Sequence, residues 1–326
     1  MEPVRFGMIG LGRIAARFAT VLQGMAEARL TAVASRDRFR SEDFARTHHA
    51  TEVCRDYLAV VQNPDVDIVY IGLTHNDHYE MVKLCLENHK AVLCEKPLVI
   101  FQHQAAELVD LARRNQTLLM EALWTRCLPA FQQARAWVAA GKIGAVRLMT
   151  AEFHHAVAYD PESRLFNPRL AGGSLFDLGV YPISFATGIL GAVPVDVTGA
   201  ALLAPSGVDE AAVIALRFDP GALASLSCGF NTTATGPASI HGSAGHIEVE
   251  NCFGPQRCSL YDGQGELVDQ FAEPVPDGFV YQIRHCADLY RQGQIESPLI
   301  PWRDTLSSAA IFDTLSTRCG IQRLEA

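Results

Sequence analysis

The stretch Val92-Leu93-Cys94-Glu95-Lys96-Pro97-Leu98 ends an apolar run in an acid, a base and a helix breaker. A lysine held at the rim of a buried strand can stabilise charge that develops on a substrate oxygen, as hydride transfer requires. Pro97 fixes the backbone just after Lys96 and stops the strand. An ordinary strand-end lysine would look the same locally. The second constellation is Ala171-Gly172-Gly173-Ser174-Leu175-Phe176-Asp177-Leu178-Gly179-Val180-Tyr181-Pro182. Asp177 and Tyr181 stand four apart, so on a helix they share one face. Tyr181 could exchange a proton with a substrate hydroxyl, and Asp177 could hydrogen-bond the substrate or Lys96. Pro182 disfavours helical geometry at Tyr181 unless the helix bends there. A capping acid beside a packed tyrosine is the alternative.

Such chemistry needs a redox partner, and the chain supplies a turn for one. The first apolar run leads into Gly10-Leu11-Gly12-Arg13-Ile14-Ala15, a G-x-G-x-x-A pattern between a strand and a helix. Gly10 permits a tight turn, Gly12 lets the backbone approach a pyrophosphate, and Ala15 allows close helix–strand packing. The amides of the helix start, at Arg13 and Ile14, face the phosphates. The next strand ends in Ser35-Arg36-Asp37. Ser35 stands where an NAD binder carries an acid, and Arg36 can pair with a 2′-phosphate, so NADP is favoured and NAD remains possible. Arg36 as a solvated charge, with Asp37 on the ribose, is the competing arrangement. A further run ends in Gly72-Leu73-Thr74-His75-Asn76-Asp77-His78, polar residues where a ligand crevice would lie. Asn76 could equally cap the helix that follows.

The elements that must position these residues fall into two halves. Apolar runs at 4–10, 29–35, 66–73, 90–95 and 117–123 alternate with helical patterns at 12–24, 41–48, 76–88 and 101–115. This alternation predicts a parallel sheet with helices on both faces. From about residue 144 strand patterns follow one another, at 145–153, 195–203, 211–218, 222–231, 236–241 and 244–250, before helices at 278–292 and 303–319. Short turns between consecutive strands predict a mostly antiparallel sheet. The expected architecture is a Rossmann domain over 1–122 and an α/β domain with a large open-faced sheet over 123–326.

Composition narrows the function classes. The 326 residues are 49% hydrophobic and 19% charged, with a net charge of −9. That is a globular, two-domain chain without the basic stripe of a nucleic-acid binder. No run approaches the roughly 18 apolar residues of a membrane span. The N-terminal residues lack the pattern of a secretory signal. Nine cysteines, none paired as C-x-x-C, read as reduced buried thiols and predict a cytoplasmic location. Glu152, His154 and His155 cluster without a further suitably spaced ligand, so no metal is expected.

The glycine turn, Glu95-Lys96-Pro97-Leu98 and Gly172–Tyr181 together resemble the glucose–fructose oxidoreductase / inositol dehydrogenase (Gfo/Idh/MocA) family of two-domain dehydrogenases. The likeness runs through Glu296-Ser297-Pro298-Leu299-Ile300-Pro301. Met120-Glu121-Ala122-Leu123-Trp124-Thr125-Arg126 is similar to the dihydrodiol dehydrogenase branch, which includes NADP-linked D-xylose dehydrogenases. The resemblance implies that Lys96, Asp177 and Tyr181 are catalytic. It implies that Leu73, Asn76, His78, Glu95, Trp124 and Arg126 line the cofactor, with Phe153 and Phe279 as weaker substrate-pocket candidates. It implies a homodimer through the outer face of the C-terminal sheet. The expected activity is hydride transfer between NAD(P) and a secondary alcohol of a sugar or cyclic trans-diol. Two alternatives stay open: a permanently bound, internally recycled nicotinamide, or a non-catalytic dinucleotide sensor.

Overall fold

The computed structural model describes residues 2–324. The chain forms two compact units. The first comprises residues 1–99, 103–122 and 279–302, and the second residues 100–102, 123–278 and 303–326.

In the first unit six parallel strands, β1 (Val4–Ile9), β2 (Ala28–Ala34), β3 (Glu52–Val53), β4 (Ile68–Ile71), β5 (Ala91–Glu95) and β6 (Leu119–Ala122), lie in the order β3-β2-β1-β4-β5-β6. Every residue of β4, β5 and β6 is buried, because helices cover both faces of the sheet. The order reverses between β1 and β4, which makes the crevice beyond their carboxyl ends the ligand-binding edge of such a sheet. Gly10 leaves β1 at that point.

The first unit also takes in Phe279–Trp302, which sequence reasoning had placed in the second domain. Specific contacts explain this. The helix Phe279–Arg291 sets Phe279 edge-on to Phe18, ring centroids 6.4 Å apart, and ties Arg284 to Glu27 at 2.7 Å. The amide of Leu119 donates to the Ile295 carbonyl at 3.1 Å, and the Trp302 indole donates to the Leu119 carbonyl at 2.9 Å.

The second unit is built on eight strands: β7 (Val146–His154), β8 (Asp196–Leu203), β9 (Asp209–Phe218), β10 (Ala222–Gly229), β11 (Ala238–Gly242), β12 (Gly245–Val249), β13 (Arg257–Asp262) and β14 (Leu267–Ala272). Their order is β14-β13-β12-β11-β7-β10-β9-β8, and all pairs are antiparallel except β7 with β10. Burial alternates along β9, with Val213, Ala215 and Arg217 outward and Ile214, Leu216 and Phe218 inward. Strands β13 and β14 escape the sequence patterns. β14 is an edge strand whose residues are almost all exposed, so no apolar alternation marks it.

No single helix among the described residues is long and apolar enough to cross a membrane. None of their His, Cys, Asp and Glu side chains gather in threes suited to a metal ion. All nine cysteines are free thiols.

Candidate functional site

At the crevice edge of the first unit, Gly10 has φ +85°, and a Cβ there would lie 2.7 Å from the Gly72 carbonyl carbon and oxygen. Only glycine lets β1 and β4 release their chains so close together. Gly12 begins the helix Arg13–Gln23 without a side-chain cap, and a Cβ on it would meet nothing within 4 Å. Open space thus fronts the first amides of the helix, which suits a pyrophosphate. Arg13 is exposed, Ile14 half-buried, and Ala15 fully buried 3.5 Å from where a Gly72 Cβ would sit. Beyond β2, the Ser35 hydroxyl donates to the Asp37 carbonyl at 2.6 Å. The Asp37 carboxylate accepts the Arg40 amide at 3.2 Å and caps the helix Arg38–His48. Asp37 is therefore spent on its own helix, while Arg36 is exposed at the same edge.

After β4, Leu73 leads into the helix His75–Glu87, whose N-cap is Thr74; Asn76 lies within the helix and is not its cap. The Asn76 amide donates to Asp77 at 2.9 Å, and its Oδ1 is buried with no hydrogen-bond partner among the described residues. His78, expected along the cofactor, lies beneath the surface of this edge. Its ring is fully buried, with Nδ1 2.9 Å from the Pro97 carbonyl and Nε2 3.2 Å from the Leu73 carbonyl. It joins the segments that follow β4 and β5, and burial pushes its pKa down. Glu95 is buried too, accepting from the Tyr70 hydroxyl at 2.7 Å and the Lys96 amide at 3.3 Å; burial raises its pKa. It supports the strand end rather than offering an open acid. Lys96 follows, half-buried, and its bond to Pro97 is cis. Glu121, not singled out by sequence, accepts the Leu98 amide at 3.0 Å and fixes the chain beyond Pro97.

The second unit assembles an aromatic wall. Trp124 opens the 3₁₀ turn Trp124–Cys127 and packs over Gly254 and Gly278, where a Cβ would come within 2.7 and 2.6 Å of the indole. Its N–H donates to the Tyr181 oxygen at 3.3 Å. Phe153, on β7, meets Tyr181 edge-on with centroids 5.6 Å apart. It stacks on Phe253 at 4.3 Å and 9°. Phe253 also reaches Tyr181, edge-on at 6.4 Å. Sequence reasoning missed Phe253, whose loop is shaped by the Asn251 side chain accepting the amides of Phe253 and Gly254.

Asp177 and Tyr181 do not share one helix. Asp177 ends the short helix Ser174–Asp177, and Tyr181 lies in the first turn of Val180–Leu190. The break at Leu178-Gly179 removes the conflict with Pro182, which falls third in the new helix, where its missing N–H has no intrahelical duty. The Asp177 carboxylate, 13% exposed, receives Arg164 at 3.3 Å. Arg126 is a clearer correction. Its guanidinium is buried and donates to Ser184 at 2.8 Å, Thr187 at 2.8 Å and the buried Asp304 at 3.0 Å. Gly188 leaves room for it, since a Cβ there would overlap the guanidinium. The charge is thus enclosed within the unit, 2% exposed, rather than presented at its surface. Phe279 is likewise a core ring, 1% exposed within the first unit, with the Arg17 guanidinium 4.2 Å from its centroid.

Comparison with known proteins agrees with both halves of the chain. Residues 4–123 match the oxidoreductase family with an NAD-binding Rossmann fold (GFO_IDH_MocA), and residues 131–248 match the GFO/IDH/MocA C-terminal domain. The chain is 31% identical to trans-1,2-dihydrobenzene-1,2-diol dehydrogenase of Homo sapiens, over 98% of this chain and 97% of that one. The rabbit protein of the same name (Oryctolagus cuniculus) is 32% identical over 96% and 98%. Among solved structures, KijD10, a 3-ketoreductase from Actinomadura kijaniata in complex with NADP and TDP-benzene, superposes with a TM-score of 0.83 at 30% identity, over 97% of each chain. Structures of that ketoreductase include variants in which one lysine or one tyrosine is replaced. The chain belongs to the Gfo/Idh/MocA family of oxidoreductases.

Proposed function

We propose that this protein is an NADP-preferring dehydrogenase that oxidises a secondary alcohol of a sugar or a cyclic trans-diol, or runs the reverse reduction. The observation that carries this is the common edge of the first unit. Gly10 to Gly12, Ser35-Arg36, Leu73 to Asn76 and Lys96 all follow the carboxyl ends of parallel strands. Gly12, Arg13 and Ile14 would hold the pyrophosphate, and Arg36 the 2′-phosphate, with Asp37 occupied by its own helix. The nicotinamide supplies the hydride acceptor. Tyr181 takes the proton from the substrate hydroxyl, or returns it in reduction. An indole N–H can only donate, so Trp124 holds the Tyr181 oxygen as an acceptor. Lys96 supplies a cation for the developing alkoxide, and Asp177 orients the reacting hydroxyl. Phe153 and Phe253 form an apolar wall for a ring.

Lys96→Ala and Tyr181→Phe should each lower kcat by about 10²–10⁴-fold, while NADP binding, followed by fluorescence titration, stays intact. Near wild-type turnover in both variants overturns the mechanism. Arg36→Ala should bring the Kd values for NADP and NAD together, and a retained NADP preference removes Arg36 from that role.

The outer face of the second sheet carries Leu148, Leu223, Val213 and Leu202, exposed at 39%, 52%, 57% and 58%. Leu148 pairs with Leu223 in register across β7 and β10. This ladder supports a homodimer through that face, and Leu223→Glu should shift the sedimentation coefficient to that of a monomer. The buried free thiols fit a reducing, cytoplasmic setting.

A further inference from the structure

Asp209, the first residue of β9, is fully buried, yet nothing in the proposed chemistry uses it. Its Oδ2 accepts the Ser174 hydroxyl at 2.5 Å and the Leu175 amide at 2.8 Å. These are the first two residues of the helix that ends in Asp177. That helix starts at Gly173, which has φ +126° and no side chain with which to cap it. A side chain 35 residues onward from Ser174 therefore serves as the cap. A Cβ on Gly173 would run into Asp209 Oδ1, so the glycine and the carboxylate fit only as a pair. Oδ1 itself is buried with no hydrogen-bond partner among the described residues. A carboxylate left half-satisfied in the interior costs stability. Its neighbours along β9, Val208 before it and Ala212 beyond, belong to an apolar cluster with Phe166, Leu178, Cys228 and Phe230.

The same surroundings grip the rest of the segment. The Ser174 hydroxyl lies 3.6 Å from the Cys228 sulfur. That sulfur would be 2.9 Å from a Cβ on Gly179, so the backbone at the helix break presses against it. Leu178, between Asp177 and Gly179, is seated in the apolar cluster. Residues 173–179 are thus clamped at three points: Asp209 at Ser174 and Leu175, the cluster at Leu178, and Cys228 at Gly179. Asp177 meets Arg164, and Tyr181 lies in the first turn of the next helix, two residues past the clamp.

We infer that Asp209 is a positioning residue, which holds the Ser174–Gly179 segment in the one register that presents Asp177 and Tyr181 together. It acts through Ser174 and Leu175 and touches no reactant. This rests on the reading that Asp177 and Tyr181 carry the chemistry. Its geometric part, the clamp on the segment, stands on contacts within the second unit alone.

The test uses the full-length protein with Asp209→Ala, Asp209→Asn and Ser174→Ala, and Tyr181→Phe in parallel. Hydrogen–deuterium exchange of amides 174–179 is the first readout, and it needs no substrate. Exchange should rise in Asp209→Ala and Ser174→Ala, and fall back towards wild type in Asp209→Asn, whose amide oxygen can still accept. The second readout is NADP reduction with D-xylose and with trans-1,2-dihydrobenzene-1,2-diol. Asp209→Ala should lower kcat per folded molecule by about 10–100-fold, in the range that a displacement of about 1 Å produces. Ser174→Ala should have a smaller effect in the same direction. The KM for NADP should hold, because Gly12, Arg13, Ile14 and Arg36, proposed to hold its phosphates, lie in the first unit. A residue that only stabilised the fold would lower Tm without changing kcat per folded molecule. Unchanged exchange at 174–179 in both Asp209→Ala and Ser174→Ala overturns the inference, as does wild-type kcat in both. Should Tyr181→Phe retain turnover, the proposed mechanism falls, and the exchange data alone decide the role of Asp209.

Discussion

The two units hold their candidate residues by different means. In the first, Gly10, Arg36, Leu73 and Lys96 stand at the ends of fully paired parallel strands, so the sheet itself sets their positions. The added devices are small: His78 between two carbonyls, Glu95 under Tyr70, and Glu121 on Leu98. In the second, Asp177 and Tyr181 sit on either side of a helix break, held by single-turn backbone bonds, Asp177 to the Gly173 carbonyl at 3.2 Å and Tyr181 to the Leu178 carbonyl at 3.0 Å, rather than by a sheet. There the work passes to side chains that arrive from far along the chain. Asp209 caps the first short helix, Trp124 holds the tyrosine oxygen, and Arg126 with Asp304 anchors the second helix through Ser184 and Thr187. A strand-end site should therefore tolerate the loss of one support better than a broken-helix site.

The largest expected effect follows from Arg126. Its partner Asp304 is only 2% exposed, so Arg126→Ala strips a buried carboxylate of its 3.0 Å ion pair and leaves it the longer 3.4 Å contact to Arg303. Removing one member of a buried pair costs about 3–5 kcal/mol. Chemical denaturation should show that loss. By contrast, Glu42→Ala, which breaks the exposed pair with Arg38 in the first unit, should change stability by no more than about 0.5 kcal/mol. Equal losses in the two variants would remove the contrast.

The same difference explains what the sequence reveals. The Gly10–Ala15 turn is legible because its requirement is local and steric: a positive φ, a close carbonyl and an open face at Gly12. The parallel strands are legible because burial on both faces leaves uninterrupted apolar runs. Arg126 misleads, because its burial depends on Asp304, 178 positions away. Asp209 and Phe253 leave no local signal, since each matters only through a partner brought near by the fold. Phe279 looks like a pocket residue until Phe18 and Arg17 are seen around it. Pro182 signals trouble at Tyr181 correctly, but the break itself lies at Leu178-Gly179.

Within the first unit, Gly10 and Gly12 sharpen the point. Gly10→Ala forces an L residue to φ +85° against the Gly72 carbonyl. The conformation alone costs about 1–3 kcal/mol. A lowered Tm and lost NADP binding should appear together. Gly12→Ala meets open space, so stability should change by less than about 0.5 kcal/mol. NADP affinity should nevertheless fall, because the new methyl occupies the phosphate approach. Isothermal titration beside thermal melts separates the two, and a Gly12→Ala protein with wild-type affinity would disqualify the turn as a phosphate cradle.

The smallest effect is local and depends on pH, with opposite sign in the two units. Burial lowers the pKa of His78 below its ordinary value near 6.5. Its contribution is complete above about 6.5 and is lost as pH falls through the depressed value, when the buried ring must take a charge. Burial raises Asp209 from 3.8 to about 6. Its contribution is complete below 3.8 and is lost as pH rises through about 6, when the enclosed carboxyl must ionise. Moving from pH 7 to pH 5 should therefore loosen the segments joined by His78, at Leu73 and Pro97, and tighten Ser174 to Gly179. Amide exchange at the two pH values, corrected for intrinsic rates, checks this segment by segment. Asp209→Asn cannot titrate, so the tightening at 174–179 should vanish in that variant while the loosening in the first unit persists. If the tightening survives the substitution, some other group governs the segment, and the pH response of the second unit does not belong to Asp209.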